Sequence, residues 1–258
     1  LLSPEPATDA QVLRVHTPQY VEKIRAGTLS AAERMRLEVP FTDGLREAMW
    51  LCAGGTLLTA RQALEHGVAV HLGGGFHHAF AGHGEGFCLI NDVAIAVRAL
   101  QDEGGVRRSV IVDLDVHQGN GTASIFAGDA EVFTFSMHQE NNYPARKPAS
   151  DLDIGLPDRT GDAAYLALLE ENLPRILQTH RPQLAFYLAG ADPWEGDQLG
   201  GLALTRAGLR QRDDTVLRLT GEAGVPVAIV LAGGYAHSPD DTVEIHCNTV
   251  RAARARVH

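Results

Sequence analysis

Short apolar runs separated by helix-length segments recur along this chain, and that alternation limits its fold more than any other feature. Val68 to Leu72, Ser109 to Leu114, Val132 to Met137, Leu184 to Ala189 and Val225 to Leu231 each read as a strand. Runs such as Val110-Ile111-Val112 place β-branched residues on consecutive positions, so both faces must be covered, as in a parallel sheet. Between them, Val93 to Leu100, the stretch from Gly161-Asp162 through Leu173, Thr205 to Thr220 and Thr242 to Arg254 carry helical periodicity. Asn91-Asp92 caps the first of these, and Pro174 is expected to bend or break the second. Such repetition predicts βαβ units: an α/β fold with a mostly parallel sheet and helices on both faces. Upstream, Thr8-Asp9 and Thr17-Pro18 open short helices. Leu45 to Ala63 forms a long one through Gly54-Gly55, on which Met49-Trp50-Leu51 reads as packing.

The 258 residues are 45% hydrophobic, enough for one large core, and no linker or charge block divides them, so one domain over 1–258 is expected. The first residue is Leu1 and not Met, which leaves room for sequence upstream. No apolar stretch reaches the length of a membrane span, and no membrane partner is expected. Cys52, Cys88 and Cys247 are odd in number and far apart, which favours a reducing, cytoplasmic compartment over a disulfide framework. A net charge of −10 argues against direct nucleic-acid binding, which needs basic surface.

The chemistry-bearing residues share one placement. Gly73-Gly74-Gly75-Phe76-His77-His78 follows the first strand, Asp115 and His117 the second, and His138 with Tyr143 the third. Gly190-Ala191-Asp192 follows the fourth, and Gly233-Gly234-Tyr235 the fifth. Every cluster lies past the carboxyl end of a strand, the edge where open α/β sheets bind ligands. Asp113, Asp115 and His117 recur at every second position, so continued strand geometry would aim all three the same way. Two carboxylates and an imidazole there form a natural nest for a divalent metal, most plausibly zinc. A zinc hydrolase needs three protein ligands, a base and an oxyanion donor. Asp115, His117 and Asp192 can supply the ligands, His77 and His78 the base, and Tyr235 a hydroxyl for a substrate carbonyl.

The set G-G-G-F-H-H-A (73–79), G-F-C-L-I-N-D (86–92), D-L-D-V-H-Q-G-N-G (113–121), A-G-A-D (189–192), G-D-Q-L-G (196–200) and G-G-Y (233–235) resembles the histone deacetylase superfamily, in the family's order over nearly the whole chain. Gln118 and the E-G-D-Q-L-G-G-L segment are most similar to the class IV branch and its bacterial relatives. The resemblance implies a single-domain arginase–deacetylase-like fold and a zinc-dependent amide hydrolase. Its substrate would be an acylated lysine of a peptide or protein, or an acylated small amine such as a polyamine. Residue by residue, it implies Asp115, His117 and Asp192 as ligands of one zinc ion and His78 as general base beside His77. Asp113 would orient His77, Asn120 would contact His78, and Tyr235 would polarise the carbonyl. Gly86 and Phe87 would form one wall of an acyl-lysine tunnel and Tyr143 the other. The backbone around Asp113, Asp115, His117, Ser136 and Met137 resembles a structural potassium site.

This chain has Gln118 where many relatives have a second His, and Asn120 where they have Asp. An amide cannot hold an imidazolium as a carboxylate does, so His78 is expected to be less basic. The family's usual start, with its first strand, is either absent or lies upstream of Leu1. Two other readings keep the fold: a manganese-cluster ureohydrolase, which needs additional bridging carboxylates, and a non-catalytic acyl-lysine reader, which predicts a lost ligand, base or tyrosine. His83 and His138 are expected at the mouth of the site or on the surface, and Cys88 as buried packing.

Overall fold

In a computed structural model, residues 1–256 form one six-stranded sheet wrapped by helices. Four helices come first: α1 (Asp9–Val12), α2 (Pro18–Ala26), α3 (Ala31–Leu37) and α4 (Asp43–His66). Strand β1 (Val68–His71) leads through a long loop into α5 (Asp92–Asp102), then β2 (Ser109–Asp113), α6 (Asn120–Ile125), β3 (Val132–Gln139) and β4 (Leu152–Leu156). The chain returns through α7 (Asp162–His180), β5 (Leu184–Leu188), α8 (Arg206–Glu222), β6 (Val227–Val230) and α9 (Pro239–Arg254).

All pairings are parallel, in the order β1-β6-β5-β2-β3-β4. From β2 the chain steps outward to β3 and β4. It then returns to β5 on the other side of β2 and steps on to β6. The reversal falls between neighbouring strands β2 and β5, whose outgoing loops therefore diverge and open a crevice at the carboxyl edge.

The central strands β2, β5 and β6 are buried along their whole length because both faces are covered. Val110, Val112, Ala185, Tyr187 and Ile229 pack under Leu169 and Leu173 of α7, Val216 of α8 and Ala252 of α9. Ile111, Leu184, Phe186, Leu188 and Val230 pack under Leu57 and Ala60 of α4 and Val93 and Val97 of α5. A third cluster joins Val12, Val21, Ile24 and Leu37 to Met49, Trp50 and Ala53, so the Met49-Trp50 pair is packing, as expected.

The structure corrects several details. Helix α7 runs through Pro174, because Leu169, Leu173, Ile176 and Leu177 hold both halves against the sheet. Three elements were not anticipated. Helix α3 carries a capping box in which the side chains of Ser30 and Glu33 each accept from the other's backbone N–H. Helix α6 begins within a Gly-Asn-Gly run, and β4 is an edge strand whose apolar residues alternate as Leu152, Ile154 and Leu156. Strand β2 ends at Asp113, so strand geometry does not carry through to His117.

Candidate active site

Because β2 stops at Asp113, the three residues expected to point together separate into two roles. Asp113 turns to the histidine loop, where its Oδ2 lies 2.7 Å from His77 Nδ1. Asp115 and His117 fold into the crevice and meet Asp192, delivered by the loop after β5. The three offer one ligand atom each, all within 4.8 Å of one another, and all three residues are buried. His117 Nδ1 lies 3.1 Å from Asp115 Oδ1 and 3.4 Å from Asp192 Oδ2.

Backbone groups hold the carboxylates in place. The Val116 N–H donates to Asp192 Oδ1 at 2.9 Å, and the Gly233 N–H donates to Asp115 Oδ2 at 2.9 Å. Gly233 must be a glycine for this approach: a Cβ there would lie 2.2 Å from Asp192 Oδ2. Asp192 Oδ2 is itself buried and makes no hydrogen bond among the described residues. A buried carboxylate oxygen with an unused lone pair, facing a second carboxylate and an imidazole, fits a divalent cation. Titration agrees. Burial disfavours a charged His117, yet the neighbouring carboxylates of Asp115 and Asp192 outweigh it and push the imidazole up to about 10. Burial and the charge of Asp115 push Asp192 up. A proton and a divalent cation would therefore compete for this cluster.

The two histidines above this cluster differ. Burial opposes charge on His77, but the carboxylates of Asp113 and Asp115 overcome it and push the group up to about 9. Burial and the neighbouring His77 charge hold His78 well below the usual imidazole range. Their ring centroids are 4.1 Å apart, so an imidazole that favours its charged form stands beside one that favours its neutral form. Opposite shifts in adjacent titratable groups equip a site with both an acid and a base at neutral pH. His78 Nδ1 lies 2.7 Å from Asn120 Oδ1.

A cavity of about 400 Å³ opens above these groups. His77, His78, Asp115, His117 and Tyr235 line it, together with Gly86, Phe87 and Tyr143. Tyr143 meets His78 edge-on at 4.9 Å, and Phe87 stands 5.9 Å from Tyr235. The chain passes so close over His78 that a Cβ on Gly86 would lie 2.8 Å from its ring; Gly86 has φ +53° and Phe87 φ +70°. Tyr235 is held from below by the 196–200 loop: its N–H donates to Asp197 Oδ2 at 2.6 Å, and its carbonyl accepts from Gln198. Ser136 lies beside Asp113 in register on β3, with Met137 next to it, both buried.

His138 is not at the mouth. It is buried, with its Nδ1 2.9 Å from Ser136 Oγ, while His83 stacks on Phe80 and approaches Glu85. Cys88 is buried as expected, and it also lines the cavity. Two residues of the site were not singled out from the sequence. Arg212, fully buried on α8, donates from Nη1 to the carbonyls of Leu114 and Gly190, which lie just ahead of Asp115 and Asp192. Glu85 accepts from Asn120 Nδ2 at 2.6 Å and from the Tyr143 hydroxyl at 3.0 Å. Neither lies at a strand end, where the other site residues collect.

Comparison with known proteins gives the family and the fold. The histone deacetylase domain family matches residues 1–250. An uncharacterised protein of Picosynechococcus sp. is 49% identical over 240 residues, covering 93% of this chain and 80% of that protein. A probable deacetylase of Methanothermobacter thermautotrophicus is 30% identical, over 87% of this chain and 70% of its own length. Histone deacetylase 2 of Arabidopsis thaliana is 31% identical over 92% of this chain, which spans 64% of that protein. The fold matches the crystal structure of an HDAC homologue from Aquifex aeolicus with a TM-score of 0.83 at 24% identity, over 98% of this chain and 73% of that one. With the family matched across nearly its whole length, this chain belongs to the histone deacetylase family.

Proposed function

We propose that the protein is a zinc-dependent deacylase that hydrolyses the amide of an Nε-acyl-lysine or a related acylated amine. The observation that carries this reading is the meeting of Asp115, His117 and Asp192 beneath a cavity also lined by His77, His78 and Tyr235. Bound to Asp115, His117 and Asp192, zinc would supply Lewis acidity for the amide carbonyl and the attacking water. The chain's own residues do the rest. His78, neutral and tied to Asn120 through Nδ1, keeps Nε2 as the nitrogen that takes a proton from water. His77, charged and held by Asp113, returns a proton to the leaving amine. The Tyr235 hydroxyl donates to the carbonyl oxygen as negative charge develops there. Gly86, Phe87 and Tyr143 enclose the aliphatic part of the substrate and exclude water. The backbone around Asp113, Asp115 and His117, with Ser136 and Met137 of β3, would hold a structural potassium ion.

Fluorogenic acyl-lysine peptides of rising acyl length, with acetylated polyamine as the competing amine, test the reading. Hydrolysis should be lost on chelation and restored by zinc, at one zinc per chain. Two metals per chain would favour a dinuclear ureohydrolase; full turnover after complete chelation would end the zinc reading.

A further inference from the structure

We propose that Glu85 is a positioning residue that fixes the proton tautomer of His78 by orienting the Asn120 amide. The proposal rests on the reading of His78 as the base. An asparagine is an ambiguous partner for a histidine, because its amide can present either an oxygen or an NH₂ to the ring. A general base needs one answer: Nδ1 must carry the proton so that Nε2 keeps its lone pair. Nothing in the Asn120–His78 contact alone enforces that.

Glu85 enforces it. Its Oε1 lies 2.6 Å from Asn120 Nδ2, and an ionised carboxylate only accepts hydrogen bonds. A flipped amide would set oxygen against oxygen at that distance. The NH₂ therefore faces Glu85, Oδ1 faces His78 at 2.7 Å, and His78 Nδ1 is the donor. The side chain of Glu85 is only 16% exposed and is tied by a second contact, the Tyr143 hydroxyl donating to the same Oε1 at 3.0 Å. Water therefore competes poorly for the carboxylate. The negative charge missing from position 120 is supplied one hydrogen bond further out, by the loop that also carries Gly86 and Phe87.

An aspartate at 120 needs no orienting, since both of its oxygens accept. Glu85 should then become dispensable, and even harmful, because two carboxylates would face each other. The test is a double-mutant cycle of Glu85→Ala and Asn120→Asp, read on a fluorogenic acetyl-lysine peptide and by ¹⁵N NMR of the His78 ring in the zinc-loaded protein. Glu85→Ala should lower kcat roughly tenfold or more with a smaller change in KM, and should mix the His78 tautomers. Glu85→Ala/Asn120→Asp should regain most of the activity and the single Nδ1–H tautomer, and should exceed Asn120→Asp alone. A double variant as impaired as Glu85→Ala, or a Glu85→Ala protein with an unchanged His78 spectrum, overturns the proposal. If the wild-type protein leaves the peptide intact, the deacylase reading fails, while the NMR measurement still decides the role of Glu85.

Discussion

Tyr235 is anchored by its backbone, so its hydroxyl can be removed without moving the ring. Asp197 and Gln198 hold its N–H and carbonyl, and Phe87 stands against the ring. Tyr235→Phe should therefore lower kcat by roughly two or more orders of magnitude with bound zinc unchanged. Steady-state kinetics beside metal analysis check this, and full activity would remove Tyr235 from the reaction. A second single-residue effect concerns stability. His16 is buried, its Nε2 accepts from the Asn91 N–H, and burial pushes its pKa down to about 4. The unfolded chain binds the proton near 6.5, so the stability from a neutral His16 is complete above that pH and is lost as pH falls toward 4. A His16→Gln variant can still accept from Asn91 but cannot titrate. Between pH 7 and 5 the wild type should lose about 2 kcal/mol more than this variant in urea unfolding. Parallel losses in both would refute the assignment. At this scale the sequence was legible where residues followed strands, as His77, Asp115, Asp192 and Tyr235 do. Glu85 was not, because its contacts with residues 35 and 58 positions away depend on loop shape, which no periodicity records.

Among the elements, α8 does more than cover the sheet. Arg212 reaches from it to the carbonyls of Leu114 and Gly190, and its charge is matched by Asp213, which Tyr187 and Thr249 also contact. The helix thus ties together the two loops that diverge at the β2–β5 crevice. Arg212→Met would leave Asp213 buried without its cation, a loss of about 3–5 kcal/mol. Chemical denaturation should show that loss, and zinc affinity should weaken with it as the ligand loops separate. A stability change below about 1 kcal/mol would show the pair to be dispensable. In the sequence Arg212 reads as one more charge on an amphipathic helix. The same blindness hid α6, whose Gly-Asn-Gly start looks like loop. The glycines of α4 show the reverse case: a Cβ at Gly54 would lie 1.8 Å from the Glu5 carbonyl, so the helix accepts a weak former to let the N-terminal segment pack.

Across the whole molecule, the strand order makes the crevice, and on the proposed zinc reading it couples metal binding to stability. Five of the six strands and their helices were readable because apolar runs alternate plainly with helical segments, and the crevice follows from the point where the order reverses. That crevice gathers Asp115 and Asp192, two buried carboxylates close together, with Asp192 Oδ2 making no hydrogen bond among the described residues. A metal ion held by such a cluster would stabilise the fold, because binding energy to the native state adds to folding energy. At zinc concentrations 100 times the dissociation constant the gain is about 2.7 kcal/mol. For a chain of this length that corresponds to a rise in Tm of roughly 5–10 °C. Asp192→Asn should abolish the rise, because it removes a ligand charge. It should also make the metal-free protein no less stable than wild type, because it relieves the repulsion with Asp115. Thermal unfolding of both proteins, with chelator and with zinc, separates these outcomes. A zinc-induced rise that persists in Asp192→Asn would place the ion elsewhere.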